Sequence, residues 1–139
     1  MLEENKRLIQ RYYYQMWNLW DLSLADEILS ETFAFRGSIG TTTQGRDGFK
    51  EYMMTIRAAF PDFSNTLEDL IAEENAVVAV LTYTGTHRGT IFGIAPTGKR
   101  IEYSATALFQ IEAGQIASGW VLADRLELLL QLGVIIPSV

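Results

Sequence analysis

The first half of the chain carries the apolar spacing of helices that bury one face. Between residues 2 and 20, apolar side chains recur at three- and four-residue steps, which predicts a long helix. Its buried face would consist of Leu8 or Ile9, Tyr12, Tyr13, Met16, Trp17 and Trp20. Residues 46–59 repeat this spacing and predict a second long helix, which Pro61 would end. The buried face of this second helix would hold Phe49, Met53, Ile56 and Phe60.

The segment between these two helices changes from capping residues to loop residues. Ser23, followed three residues later by Asp26, predicts an N-cap and a short helix through about Leu29 or Ser30. Residues 33–35 are predicted to be extended. The run RGSIGTTTQG, in which glycines alternate with small polar residues, predicts a loop.

The second half of the chain has the alternation of β-strands. It predicts strands over residues 63–72, 77–86, 99–111 and 115–122, with tight turns at 73–75 and 113–114. The run LELLLQL then predicts a final helix over residues 125–132, closed by Gly133. Helices followed by a meander of strands indicate an α+β fold. We expect one domain, residues 1–139, in which N-terminal helices wrap a curved antiparallel sheet into a cone with an apolar interior.

Composition and charge narrow the classes of function. The chain has 139 residues, 11 basic and 17 acidic side chains and a net charge of -6, without a cluster of lysines and arginines that would bind nucleic acid. With no cysteine and one histidine, neither a disulfide nor a metal site is expected, and no cofactor is predicted. The charged start, MLEENKRL, and the lack of a long apolar run predict a cytoplasmic protein without a membrane partner.

The last predicted strand supplies the candidate acid. Strict alternation would place Trp120 and Asp124 on one face of this strand, with Gly119 and Val121 on the other. A carboxylate beside an indole inside an apolar cavity would suit proton transfer. An aspartate directly before a helix is also a preferred N-cap, so capping of the final helix is the alternative. One residue can serve in both ways.

His87 and a group of aromatic residues complete the candidate site. His87 is the only histidine, so acid–base chemistry by an imidazole would have to use it. The alternative is a partly exposed histidine that hydrogen-bonds to a loop. The side chains predicted to line an apolar pocket and contact a small hydrophobic substrate are Tyr13, Trp17, Phe35, Phe60 and Trp120.

Several short runs, taken in chain order, resemble the SnoaL-like polyketide cyclases. They are GRDGF at 45–49, FPD at 60–62, TGTHRG at 84–89, GIAPTGK at 93–99, GQI at 114–116 with Trp120, and Asp124 followed by QLG at 131–133. The resemblance covers nearly the whole chain. It implies the cone-shaped α+β barrel of nuclear transport factor 2 and ketosteroid isomerase.

The resemblance also implies a small enzyme that works without a cofactor. In such cyclases an acidic residue of the final strand region is the general acid–base for an intramolecular aldol ring closure of a polyketide-like, carbonyl-bearing molecule. Asp124 is the acid in that region, and related isomerase, lyase or hydrolase chemistry is compatible with the same pocket. An epoxide hydrolase is the weaker alternative, because no arginine lies between two acids on the predicted strands.

Three apolar residues keep a second hypothesis open. Ala107, Gly119 and Val121 stand where the family often has polar side chains. Non-catalytic binding of a small hydrophobic molecule on the same fold therefore competes with catalysis. The sheet of this fold also tends to form dimers, and we expect a homodimer in which Leu81, Tyr83 and Leu108 are buried between two sheets.

Overall fold

The computed structural model describes residues 1–134, so the last five residues of the predicted domain lie outside the described range. The helical elements are α1 (Leu2–Gln10), its π-helical continuation (Arg11–Asn18), a 3-10 turn (Leu22–Leu24), α2 (Ala25–Ile28), α3 (Gly45–Ala59) and α4 (Arg125–Gln131). The strands are β1 (Leu29–Arg36), β2 (Thr42–Gln44), β3 (Ser64–Glu73), β4 (Ala76–Thr86), β5 (Arg100–Glu112) and β6 (Gln115–Ala123).

These strands form one sheet in the order β2-β1-β6-β5-β4-β3. The predicted α+β class is confirmed, with helices on one side of a largely antiparallel sheet. One pair differs from the expectation, since β1 and β6 run parallel. The long stretch of chain between them, which includes α3 and two hairpins, permits a parallel pairing that a tight turn would not. The sheet is open, with β2 and β3 at its edges.

The core lies between the helices and the concave face of the sheet. Phe49, Met53 and Ile56 of α3 are buried as their spacing predicts, and Tyr52 joins them on the same face. Along β5 every second residue from Ile101 to Ile111 is buried. The strands β3 to β6 and the final helix match their predicted positions to within about two residues.

The Trp120 face of β6, predicted to be interior, is the outer face, because this strand contains a β-bulge. Ile111 pairs with Ile116 but Gln110 pairs with Ser118, so Ala117 is an extra residue in β6. After the bulge the two faces exchange. Gly119 and Val121 point into the core, whereas Trp120 and Leu122 lie on the outer face, with 49% and 57% of their surface exposed.

Smaller differences between the predicted and the observed structure lie at the end of the first helix and in the segments that connect it to α3. The first helix ends at Asn18 and is π-helical over its second half. Ser23 does not cap a helix; its hydroxyl donates to the carboxylate of Asp21, and a 3-10 turn precedes α2. The extended stretch predicted at residues 33–35 is the end of a longer strand, and residues 42–44 of the predicted loop pair with it as β2.

The end of α3 is held by the loop that follows β4. The backbone N–H groups of Arg88 and Gly89 both donate to the Ala59 carbonyl, at 2.9 and 3.1 Å. A Cβ at position 89 would lie 2.1 Å from the Ala58 carbonyl oxygen, so the close approach requires glycine. This contact fixes the end of the helix that contributes Tyr52 and Ile56 to the interior.

Candidate functional site

The helices and the concave face of the sheet enclose a small cavity. The space open to the centre of a water molecule is about 20 Å³, which is room for about one water. Aromatic rings form most of the wall, which consists of Tyr12, Tyr13, Trp17, Phe35, Ser38, Tyr52, Ile56, Phe63, Asn65, Tyr83 and Val121. The apolar interior of the cone is therefore present, and its own side chains fill most of it.

The π-helical segment supplies one side of this wall. A π-helix is rare and is frequently found at functional sites. Here it buries Tyr12, Tyr13 and Trp17 against the cavity. Its end is tied to β3, since Asn18 Nδ2 donates to the Asn65 carbonyl at 2.8 Å and the Asn65 N–H donates back to Asn18 Oδ1 at 2.9 Å. These bonds fix the segment relative to the sheet.

Two tyrosine hydroxyls on the wall differ in their hydrogen bonding. The Tyr52 hydroxyl accepts from the Ser38 N–H at 2.9 Å and lies 3.1 Å from the Ser38 hydroxyl. The Tyr13 hydroxyl is buried and has no hydrogen-bond partner among the described residues. A buried polar group without a partner is costly, so this hydroxyl is the natural place for a polar atom of a ligand.

The interior tyrosines stay protonated over the ordinary pH range. Burial raises the pKa of five of them above the usual 10.0, namely Tyr12, Tyr13, Tyr52, Tyr83 and Tyr103. For Tyr52 the hydrogen bonds from Ser38 oppose this rise without cancelling it. The hydroxyls on the wall are therefore neutral donors, and they do not act as bases.

The wall contains no stronger acid or base. None of the residues that line the cavity is Asp, Glu, His, Lys or Arg. Ala107, Gly119 and Val121 all lie on the interior side of the sheet, where they contribute no polar side chain. The cavity of the described chain can donate hydrogen bonds and bury apolar surface, but it holds no group that abstracts a proton at neutral pH.

Three of the predicted substrate contacts lie on the cavity wall and two do not. Tyr13, Trp17 and Phe35 are on the wall. Phe60 is fully buried behind it, with its ring 6.1 Å from that of Phe63. Trp120 is on the outer face of the sheet because of the bulge in β6, and the Arg36 guanidinium lies 5.3 Å from its ring.

Asp124 lies outside the cavity at the start of α4. It is exposed, and its Oδ1 accepts from the Glu127 N–H at 3.1 Å. This is the N-cap arrangement that formed the alternative interpretation of this residue. Because the faces of β6 exchange after Ala117, Asp124 does not share an interior face with an indole, and that prediction is wrong.

His87 is fully buried, so the expectation of a partly exposed histidine is wrong. It holds the loop between β4 and β5: the Thr97 N–H donates to His87 Nδ1 at 3.1 Å, and the Gly98 N–H donates to the His87 carbonyl at 2.8 Å. The second ring nitrogen, Nε2, has no hydrogen-bond partner among the described residues. The ring packs 5.8 Å from Phe60 and is not on the cavity wall.

Sequence reasoning missed four polar residues of the interior: Ser38, Tyr52, Asn65 and Tyr83. Two of them carried a signal. Tyr52 follows Phe49 by three residues on the buried face of α3, and Tyr83 alternates with Leu81 in β4. Leu81 and Tyr83 are thereby core residues, which corrects their assignment to a dimer interface. Ser38 and Asn65 reach the wall through a turn and a strand start that no periodicity marks.

Residues 1–134 contain neither a metal-binding cluster nor a membrane-spanning helix. No group of three or more His, Asp or Glu side chains there is arranged to hold a metal ion. None of the helices in that range is long and apolar enough to cross a membrane.

Comparison with known families places the cavity in context. The model of the SnoaL-like polyketide cyclases matches residues 7–132. The chain belongs to the SnoaL-like polyketide cyclase family. This match spans every element from the end of α1 to α4, which confirms the resemblance seen in the sequence. No curated protein matches the sequence significantly.

Solved structures agree with this membership. AclR of Streptomyces galilaeus, a candidate hydroxylase, is 27% identical and superposes with a TM-score of 0.84 over 100% of this chain and 90% of its own. IdmH of Streptomyces antibioticus, a candidate polyketide cyclase, is 25% identical, with a TM-score of 0.81 over 94% and 99%. A SnoaL-like protein from Jannaschia, 19% identical, shares the fold with a TM-score of 0.88 over 98% and 95%.

Proposed function

We propose that this SnoaL-like domain binds a small hydrophobic molecule that carries a carbonyl group, and that the Tyr13 hydroxyl donates a hydrogen bond to the carbonyl oxygen. The observation that carries the proposal is a buried hydroxyl without a partner among the described residues, on an otherwise aromatic wall. Aromatic rings provide apolar contact, and one well-placed polar group fixes the orientation of the ligand.

A carbonyl oxygen suits this site better than a charged or donating group. The raised pKa of Tyr13 keeps its proton in place, so the hydroxyl offers a donor to an acceptor. The wall presents no arginine or lysine to neutralise a carboxylate or phosphate. A ketone has an acceptor and no donor, and it therefore satisfies the hydroxyl without adding a buried group that needs a partner.

The same hydroxyl gives the proposal a catalytic extension of the cyclase type. A hydrogen bond to a carbonyl oxygen becomes stronger as negative charge develops on that oxygen, so a donor here would favour the enolate needed for an aldol ring closure. The family and the candidate cyclase IdmH favour this second function. It also requires a base, which the cavity wall does not contain. Asp124 lies outside the cavity, so it takes this part only if opening of the cavity brings the ligand within its reach. Isomerase, lyase and hydrolase chemistry remain proposals of the same kind.

The test uses two bicyclic probes of nearly the same shape. 1-Tetralone carries a carbonyl and tetralin does not. Calorimetric titration is expected to show tetralone binding about threefold to tenfold tighter, which is the contribution of one neutral hydrogen bond. Equal affinities would contradict the proposal. Nuclear magnetic resonance then measures whether the protein accelerates hydrogen–deuterium exchange at the carbon next to the carbonyl of tetralone, which reports enolisation.

We also propose that two copies of the chain pair through the outer face of the sheet. Leu108, Trp120 and Leu122 are 38%, 49% and 57% exposed there and lie on the neighbouring strands β5 and β6. Exposed apolar side chains that adjoin in this way are typical of an interface between protein chains. Sedimentation of the wild type and of Leu122→Asp tests this, because the charge is expected to produce a monomer.

A further inference from the structure

The small free volume of the cavity raises the question of how a ligand finds room in it. With about 20 Å³ of free space it holds about one water, whereas pockets for small molecules usually measure ~300–1,000 Å³. Binding a bicyclic ketone therefore requires a side chain of the wall to move. The residue that moves has to separate the cavity from open space outside.

Like Phe35, which also borders an open groove beside Trp120, Tyr52 lies on the boundary of two spaces. It lines the interior cavity, and it also lines an open groove of about 370 Å³ between α3 and β2. The rest of that groove is polar and consists mainly of threonines, among them Thr42, Thr43 and Thr55. Because both spaces contact the same side chain, a rotation of Tyr52 toward solvent would join them.

The closed position of Tyr52 is held by the turn between β1 and β2. Its hydroxyl bonds to the N–H and the hydroxyl of Ser38, as described above. Its ring lies against Gly37, where a Cβ would approach the ring to 2.2 Å, so the glycine leaves the room that the ring occupies. The ring also packs 5.1 Å from Phe35 on the cavity side.

We propose that Tyr52 is the gate of the cavity, that its hydrogen bonds to Ser38 hold the gate closed, and that ligands enter from the groove between α3 and β2. This rests on the proposed binding function. Opening breaks the neutral hydrogen bonds to Ser38 and the packing of one ring, which is a local change and costs less than unfolding the domain. Phe35 and Trp17 each pack against Phe49 as well, so both keep an aromatic contact when Tyr52 turns.

The test measures access to the cavity without any ligand. The natural chain has no cysteine, so Val121→Cys places a single thiol on the cavity wall. Its reaction with dithiodipyridine, a small uncharged disulfide, reports how often the cavity opens. In this background Tyr52→Phe removes the bonds to Ser38 and keeps the ring, and we expect labelling to become about tenfold faster.

Two further variants keep the result interpretable. Ile28 is buried in α2, away from the cavity. The variant Ile28→Val serves as a control whose free energy of unfolding is similar to that of Tyr52→Phe. Ser38→Ala weakens the same contact from the turn, keeps Tyr52 intact and is expected to raise the rate about threefold. Equal rates in Tyr52→Phe and Ile28→Val at matched free energy of unfolding, or no increase in Tyr52→Phe and Ser38→Ala, would overturn the gate.

The outcome is separable from the proposed function. If tetralone does not bind but Tyr52→Phe accelerates labelling, the gate stands and the ligand class is wrong. If tetralone binds and labelling is unchanged, the binding function stands and entry by this route is wrong. When both hold, Tyr52→Phe is also expected to raise the association and dissociation rates of tetralone together, with a smaller change in Kd.

Discussion

The two faces of β6 lie one residue apart in the sequence and differ in almost every respect. On the inner face, a Cβ at Gly119 would lie 3.1 Å from the Phe109 ring and 3.2 Å from the Phe35 ring, so a side chain there would have to displace these rings by a few tenths of an ångström. On the outer face, Trp120 is half exposed beneath the Arg36 guanidinium. The largest aromatic of the strand is thus outside and its smallest residue is inside. Size and hydrophobicity alone do not tell which face is buried; the bulge at Ala117 decides it.

The largest expected effect is a difference in the free energy of unfolding between an inward and an outward residue. The inward residue is Phe109 of β5, which pairs with Gly119, and the outward residue is Trp120 of β6. Phe109 packs against Tyr12 and Tyr13 in the core, and Phe109→Ala is expected to cost about 3–5 kcal/mol. Trp120→Ala should cost about 1 kcal/mol or less, which is the value of an exposed cation–π contact. Urea unfolding at a protein concentration that keeps both variants monomeric measures this difference. Similar losses for the two variants would show that β6 has no such inversion.

Alkaline pH is expected to destabilise the domain through its buried tyrosines. Because the folded pKa of Tyr83 is raised well above 10.0, the unfolded chain releases its proton first and binds fewer protons above pH 10. The free energy of unfolding therefore falls as pH rises beyond about 10, by up to about 1.4 kcal/mol per pH unit for each such tyrosine. Tyr83→Phe should reduce this slope by one tyrosine's share. If the free energy of unfolding falls equally steeply with pH in the variant and the wild type, Tyr83 has the same pKa in the folded and the unfolded chain, which contradicts this prediction.

Asp124 gives a smaller effect that separates capping from catalysis. Asp124→Ala is expected to lose about 1 kcal/mol of stability because the Glu127 N–H loses its acceptor. Asp124→Asn keeps the cap and removes the charge, so its free energy of unfolding should equal that of the wild type. Loss of enolisation in the stable Asn variant would support Asp124 as the base of the catalytic extension. Unchanged enolisation would leave capping as its function.

Much of the fold followed from the sequence because periodicity reports burial. The spacing of Phe49, Met53 and Ile56 defined α3, and the alternation of β5 held over its whole length. The bulge in β6 could not be predicted, since an extra residue changes the face of Trp120 without any mark in the local sequence. Parallel pairing of β1 with β6 depends on contacts between distant segments.

The site was predictable mainly in its aromatic part. Tyr13, Trp17 and Phe35 lie on the cavity wall as expected from a buried helix face and an extended stretch. Ser38 and Asn65 were not foreseen, because a turn and the bond to Asn18 position them. For Asp124 the residue type suggested catalysis, but its position directly before α4 makes its carboxylate the acceptor for the Glu127 N–H.

The most direct measurement compares Tyr13→Phe with the wild type in binding of tetralone and tetralin. The substitution removes one hydroxyl, keeps the ring and breaks no hydrogen bond of the described residues. The account predicts that affinity for tetralone falls about threefold to tenfold, to the level of tetralin, whose own affinity is unchanged. An unchanged preference for tetralone in Tyr13→Phe would contradict the claim that this hydroxyl binds the carbonyl oxygen.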